Sequence, residues 1–508
     1  METKRLNLMD AAWLNVETER APMHVGGLLT FQIPDGAPDD FCQRIVDRYR
    51  AHTRAQKPWN QRLRNNAMKR VTPEWELLDE IDTEYHFSHS ALPAPGGERE
   101  LGILASQIHS HPLDFRRPPW ECHLIEGLEG NRFAIYLKVH HSVVDGVSGM
   151  KLLARAMAET PEDDDRPPFW AIEPKKRSKK APESQPPGIM RVMADLAASA
   201  RQQAASLPAL GGILRDMIKS ARTGTDALAV PFTSATSRLN RRIDSRRRYA
   251  TQLFSLAEFT ELAENADVTI NDIVLAVCGG GLRRYLQEMG ELPNKALTAG
   301  LPVAVTPTDE DEVGNALSFI IASLATDIDD PKERLHKIAA STKRAKNNLK
   351  KLSGAAITQY TFALMGPFIL SLMTGMGGRT RPTFNVIISN LPGPKQDLYL
   401  GGARMEAFYP TSLVTHGLAL NITIHGYADT LGFGFIGCGE TLPSLQRLAV
   451  YTGEAADEIR ALYGSKASAA KAKAQPANSA ESPAGTGAKA APKSASGARK
   501  QPAARLVR

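Results

Sequence analysis

The sequence predicts an α+β protein of two folded units joined by a long helical crossover. Three observations carry this expectation. The chain has 508 residues, more than one hydrophobic core ordinarily organises. Runs that alternate apolar and polar residues are interleaved with runs of 3.6-residue period, without the regular βα repeat of a doubly wound sheet. A stretch rich in proline and charge, 159–187, separates the two sets of elements. The units expected are residues 1–158 and 246–464. Residues 159–245 form a linker and crossover helix, and 465–508 form a tail.

In the first unit, RFAIYLKV (132–139) alternates and reads as a strand, and 146–159 carries a helical period. The linker leads into a helical stretch at 189–222 and an irregular one at 223–245. In the second unit, strands are expected at 298–305, 316–326, 384–390 and 418–427, and helices at 270–288, 331–352 and 442–463. Residues 352–378 contain no charged side chain. Polar residues and Gly366-Pro367 interrupt them, so a buried or membrane-surface helical hairpin is expected rather than a span. The tail is built of Ala, Lys, Pro, Ser and Gly and cannot bury enough apolar surface to order itself.

Composition narrows the function classes. The net charge is +7, but nine basic residues and one acid fall in the tail, which leaves the rest of the chain near −1. The body is therefore not expected to bind nucleic acid. Cys42, Cys122, Cys278 and Cys438 are far apart and have neither metal-ligand nor disulfide spacing. The N-terminus has no apolar h-region. Together these predict a reduced, cytoplasmic chain, and the uncharged 352–378 segment allows peripheral contact at the inner membrane or lipid inclusions.

The chemistry concentrates at KVHHSVVDGVSG (138–149). By strand period His141 shares a face with Phe133, Ile135, Leu137 and Val139, while His140 faces the other way with Tyr136 and Lys138. His141 is thus expected to be the better buried and to present the neutral imidazole a general base needs. Asp145 either caps the following helix or holds the site, and Gly146 relieves the turn into that helix. Asn271, at the start of the 270–288 helix, either caps it or donates to an oxyanion. Trp120 either anchors the loop beside the site or touches substrate.

HHSVVDG resembles the HHxxxDG signature of CoA-dependent acyltransferases and peptide condensation domains. PMHVGG (22–27), PLDFRRPPWE (112–121), TINDIVLAV (269–277) and FNVIISNLPGP (384–394), in that order, are similar to the bacterial wax ester synthase/diacylglycerol acyltransferase family. The similarity extends over about residues 5–460. Members often read RPLW where this chain has Arg117-Pro118-Pro119-Trp120. The resemblance implies two chloramphenicol-acetyltransferase-like domains with the histidine motif at their interface. It implies acyl-CoA as co-substrate with no further cofactor, and a long-chain alcohol or diacylglycerol as acceptor, giving wax ester or triacylglycerol. His141 would be the base, with His140 and Asp145 keeping the site's geometry. Gly146 and Trp120 would lie by the substrate. Two rivals are a condensation-type enzyme using carrier-protein thioesters and a non-catalytic protein of lipid surfaces.

Other motifs are read as structural. GFGFIG (432–437) matches a nucleotide-loop pattern but lies in a strand paired with 418–427, with no βαβ unit around it, and reads as tight packing. Three glycines in a row within the 270–288 helix, Gly279–Gly281, predict close packing or a ligand passing near the backbone. His109 and His111 lack further ligands at zinc spacing, so no metal is expected. Asn421, Thr423 and His425 form a polar stripe that lines a tunnel or faces solvent. RRIDSRRR (241–248) and KKRSKK (175–180) either meet phosphates or lie solvated in the linker.

Overall fold

The computed structural model describes residues 3–6, 8–64, 73–144, 146–162, 165–173, 234–305, 316–350, 352 and 354–465. The expected 189–222 helix, nearly all of the tail, and Asp145 lie outside them. The elements are β1 (Thr3–Arg5), α1 (Leu8–Val16), β2 (His24–Gln32), α2 (Phe41–Arg50), β3 (Gln61–Leu63), β4 (Glu74–Leu77), α3 (Thr83–His86), β5 (Phe87–Ala91), α4 (Glu98–Ser110), β6 (Trp120–Leu128), β7 (Arg132–His140) and α5 (Gly146–Arg155). After the crossover come β8 (Arg247–Ser255), α6 (Leu256–Asn265), α7 (Ile270–Glu288), β9 (Thr298–Val305), β10 (Ala316–Ser323), α8 (Pro331–Lys350), α9 (Gly354–Met373), β11 (Val386–Leu391), β12 (Tyr399–Leu400), β13 (Ala403–Thr411), β14 (Leu420–Tyr427), β15 (Thr430–Cys438) and α10 (Leu445–Tyr463).

Two six-stranded mixed sheets dominate. One has the order β12-β13-β2-β7-β6-β5 and the other β10-β9-β11-β14-β15-β8. The α+β class expected from the interleaved periods is the class observed. Helices α6, α7, α8 and α10 cover the second sheet over its own apolar core, and the first sheet packs on an aromatic cluster around Trp59, Trp120, Phe169 and Trp170. Gly280 and Gly281 allow the α7–α10 crossing, where a Cβ would meet Ala455 Cβ at 2.7 Å and Thr452 Oγ1 at 2.5 Å, and Gly279 lets α7 approach the end of β10, where a Cβ would meet Leu324 O at 2.6 Å.

The two halves of the chain interlock. Strands β12 and β13 come from residues 399–411, yet they extend the first sheet, β13 pairing antiparallel with β2. A third core, holding Leu28, Tyr136, Tyr249, Tyr409 and Ile436, draws on both halves. Helix α4 in turn seals the edge of the second sheet. The Tyr249 and Arg247 N–H groups of β8 donate to Ser106 Oγ and Ser110 Oγ at 2.9 and 2.8 Å. These hydroxyls occupy edge donors that would otherwise invite another strand.

Residues 352–378 differ from expectation. One helix, α9, runs from Gly354 to Met373 through Pro367 rather than a hairpin breaking there. A proline costs the helix one i−4 bond but need not end it where packing holds both sides. Among the described residues, no helix is long and apolar enough to cross a membrane.

Candidate active site

The site begins at the end of β7. Register places His140 opposite His24 of β2 and Val139 opposite both Val25 and Trp120. The His140 N–H donates to Pro119 O (3.0 Å), and the His141 N–H donates to Met23 O (2.9 Å). The PMHVGG and RRPPW segments thus grip the two histidines by their main chains from opposite sides. Gly26 explains why β2 comes so near, since a Cβ there would meet Leu137 O at 2.1 Å.

His140 is wholly buried. Its Nδ1 lies 2.6 Å from Ser142 Oγ and accepts the Ser142 N–H at 3.2 Å. A donor aimed at Nδ1 leaves the ring proton on Nε2. That edge faces Glu17, with Oε2 3.4 Å from Nε2, and has no hydrogen-bond partner among the described residues. The other Glu17 oxygen accepts the Met23 N–H at 3.2 Å. One carboxylate therefore touches both the buried imidazole and the residue whose carbonyl fixes His141. Phe115 closes over His140 edge-on at 5.0 Å.

His141 is half-buried, its ring stacked on Trp13 of α1 at 4.4 Å and 26°. This corrects the expectation that His141 would be the better buried of the pair. Burial along β7 is continuous on both faces, because the strand is central to a sheet covered on both sides. The chain also leaves the strand at His141, where the Val143 N–H turns back to His140 O. The pleat period stops with the strand at His140, so it fixes neither the direction nor the cover of His141.

Behind His140 the same face of β7 is polar and sealed. The Lys138 ammonium pairs with Glu121 at 2.8 Å and donates to Ile108 O and His111 O. Burial works against the Glu121 carboxylate, but bonds from His123 and Lys138 outweigh it and hold it at about 2. His24 Nε2 donates to His109 O at 2.8 Å, and His109 Nδ1 meets the Tyr136 hydroxyl at 2.6 Å. Burial, reinforced by Lys138, holds both rings well below the ordinary imidazole range, so they are neutral.

The other candidates stand elsewhere. Trp120 is fully buried, its indole N–H donating to Trp59 O at 2.8 Å and its ring stacked on His86 at 4.4 Å. It is a core anchor for the loop, and the substrate-contact alternative is withdrawn because its faces are taken by other rings. Asn271 is the second residue of α7, half-buried. The capping box there is made by Thr269 and Asp272, which disposes of the cap account for Asn271. Gly146 opens α5.

The polar stripe of β14 is buried, which corrects the solvated alternative. Asn421, Thr423 and His425 are at most 5% exposed. Phe408 of β13 lies edge-on to His425 at 4.7 Å, and burial pushes this imidazole down to about 4. GFGFIG is part of the same junction. A Cβ on Gly432 would fall 2.0 Å from Phe408 O, and one on Gly434 1.8 Å from Pro410 O.

Glu17 and Trp13 were not among the sequence candidates. Their signal was available: they are four apart at the C-terminal end of α1, on one helical face, just before PMHVGG. Nothing in their local pattern, however, separates them from an ordinary amphipathic face.

Residues 6–274 match the wax ester synthase/diacylglycerol acyltransferase catalytic domain, and 313–460 match the WS/DGAT C-terminal domain. A putative diacylglycerol O-acyltransferase of Mycobacterium tuberculosis is 43% identical over 491 residues, 91% of this chain and 98% of that protein. The O-acyltransferase WSD of Acinetobacter baylyi is 40% identical over 450 residues, 88% and 95% of the two chains. The solved wax ester synthase/diacylglycerol acyltransferase from Marinobacter aquaeolei VT8 superposes with a TM-score of 0.73 at 36% identity, covering 91% of this chain and all of that one. The first condensation domain of the calcium-dependent antibiotic synthetase superposes at 0.52 with 16% identity over 91% of this chain and 97% of that one, a likeness of fold alone.

Proposed function

The chain belongs to the wax ester synthase/diacylglycerol acyltransferase family, and on that premise we propose that acyl transfer runs directly from an acyl-CoA thioester to the hydroxyl of a long-chain alcohol or a diacylglycerol, with His141 as general base. The protein is an O-acyltransferase. The observation that carries the assignment of the base is the unequal footing of the two imidazoles. His140 is buried, with Nδ1 engaged by Ser142, whereas His141 stands half-exposed where the chain leaves the sheet.

The steps balance without a cofactor. The hydroxyl oxygen attacks the thioester carbonyl as its proton passes to the His141 ring. The tetrahedral oxyanion collapses, the C–S bond breaks, and the imidazolium returns its proton to the departing CoA thiolate. A thioester is already activated, so base catalysis of ~10²–10⁴-fold and an oxyanion donor of ~10²–10³-fold are the contributions required. Asn271, relieved of capping, is the amide assigned to the oxyanion. The absence of a GxSxG elbow in the sequence supports direct transfer over an acyl-serine route.

Release of free CoA from palmitoyl-CoA, measured with hexadecanol and with a diacylglycerol as separate acceptors, tests the reading. Acceptor-dependent release with either is expected. Release no greater with acceptor than without it would refute the reading.

Glu17 is a positioning residue in this scheme. Glu17→Gln retains an acceptor for the Met23 N–H but removes the charge facing His140. Turnover is expected to fall about tenfold, corresponding to about 1.4 kcal/mol, with KM for acyl-CoA little changed. Steady-state kinetics beside a thermal unfolding curve checks this, and an unchanged kcat would remove Glu17 from the machinery.

A further inference from the structure

One end of α9 turns apolar side chains outward. Ile369, Leu370 and Met373 share a face near its C-terminus and Met376 follows in the turn; they are 40, 61, 66 and 41% exposed. Single exposed apolar residues are ordinary, but four at adjoining positions form a patch. No charged residue occurs between 352 and 378.

The tip is firmly built. Gly375 and Gly378, at φ 68° and 75°, reverse the chain after the helix. Arg242 Nη1 donates to Gly375 O at 3.0 Å and Gly377 O at 3.1 Å, clamping the turn to the segment that follows Asn240. At its foot is a shallow cleft whose lining includes Phe368, Ser371, Arg381 and His416.

The rim is cationic. Arg241, Arg242, Arg379 and Arg381 are all exposed. His416 registers the local field: burial first, then Arg242, Arg20, Arg247 and Arg379, push its imidazole down to about 4. Glu291 lies 3.5 Å from Arg241, and among the described residues neither Arg379 nor Arg381 has a carboxylate partner. Exposed apolar groups beside exposed guanidiniums match an interface where acyl chains lie beneath phosphates. A protein partner fits less well, since a stable interface buries about 800 Å² on each side and four side chains supply a fraction of that.

We infer that the tip formed by Ile369, Leu370, Met373 and Met376, ringed by Arg241, Arg242, Arg379 and Arg381, docks on an anionic phospholipid surface. Helix α1, which stacks Trp13 on His141, packs against α9. The surface itself is independent of the reaction assigned to His141.

The basic tail would also attract anionic vesicles, so the test reads the tip and not bulk binding. All four native cysteines are buried, which lets a polarity-sensitive fluorophore be placed selectively on full-length Met373→Cys. Mixed phosphatidylglycerol–phosphatidylcholine vesicles should shift its emission to the blue, and brominated acyl chains should quench it. Pure phosphatidylcholine vesicles should do so far less. In that labelled chain, Arg379→Ser with Arg381→Ser should weaken the response to mixed vesicles about tenfold or more. An unchanged spectrum while the protein co-sediments would overturn the inference by assigning binding to the tail. Equal responses to both vesicle types would overturn it as well. So would a blue shift produced by raising protein concentration without vesicles, since a second copy would then cover the patch.

Discussion

His141→Ala is expected to lower acyl transfer by ~10²–10⁴-fold while leaving the unfolding midpoint close to that of the parent. The ring is half-exposed and stacks on Trp13, a pair contact of about 0.5–1.5 kcal/mol. The fall should lie in kcat, because the proton is removed only as the hydroxyl attacks. His140→Ala should behave differently. It empties a fully buried position, leaves Ser142 without its acceptor and leaves the Glu17 carboxylate facing a void. A loss of about 2–4 kcal/mol in unfolding free energy is expected alongside a drop in turnover. CoA release and urea unfolding on both variants separate the roles. If His141→Ala retained more than a tenth of parental turnover, the base would have to be sought elsewhere.

The contrast between these variants shows what the sequence could carry. Strand period placed His140 and His141 on opposite faces, but β7 ends at His140, and the α1 region reaches both rings, Trp13 stacking on His141 and Glu17 facing His140. Burial, though, depends on what lies over each face, and cover comes from α4, α1 and the 112–119 loop, distant in the chain. Glu17 escaped notice for the same reason. Its importance lies in a 3.4 Å approach to a residue 123 positions away. Helix α7 and strand β9 coincide with the stretches 270–288 and 298–305, where local period and caps agree. Asn271 was ambiguous because Thr269, Asn271 and Asp272 all have capping side chains, and only the coordinates distinguish among them.

The halves of the chain are also less separable than a linker at 159–187 suggests. Proline and charge mark where a chain lacks a core of its own, but they do not record which sheet a later strand joins. Residues 403–411 pair with β2 across more than 370 positions of sequence. Without them, the β2 edge would lie open beside the histidine pair, with Leu28 and Leu29 uncovered. Parted from the first half, the second sheet would lose the serine hydroxyls of α4 along β8. Catalytic geometry at the end of β7 therefore depends on strands contributed from both ends of the chain.

The largest loss of stability is expected where those contributions meet. Gly432 and Gly434 of β15 lie against the backbone of β13, with Phe408 O and Pro410 O 2.0 and 1.8 Å from where a Cβ would be. A carbonyl in a paired strand cannot rotate aside as a flexible side-chain end can. β13 is fixed to β2 by the ladder from Arg404 to Thr411, and β15 is fixed between β14 and β8. Gly434→Val must therefore part the two sheets locally, at a cost above about 3 kcal/mol, the upper end for overpacking. Gly366→Ala is the matching control. It lies inside α9 with nothing beyond its chain neighbours within 4 Å of the added carbon, and the helix-propensity gain of about 1 kcal/mol is opposed by Pro367, whose ring disfavours a helical residue bearing a Cβ before it. Urea midpoints should thus fall for Gly434→Val and change little for Gly366→Ala. Because β13 lies beside β2, and β2 positions the pair through His24 and Met23, partly folded Gly434→Val should also lose CoA release more steeply than its folded fraction. Parental midpoint and turnover in Gly434→Val would mean that the sheets do not meet at this closeness, and that the site does not depend on their junction.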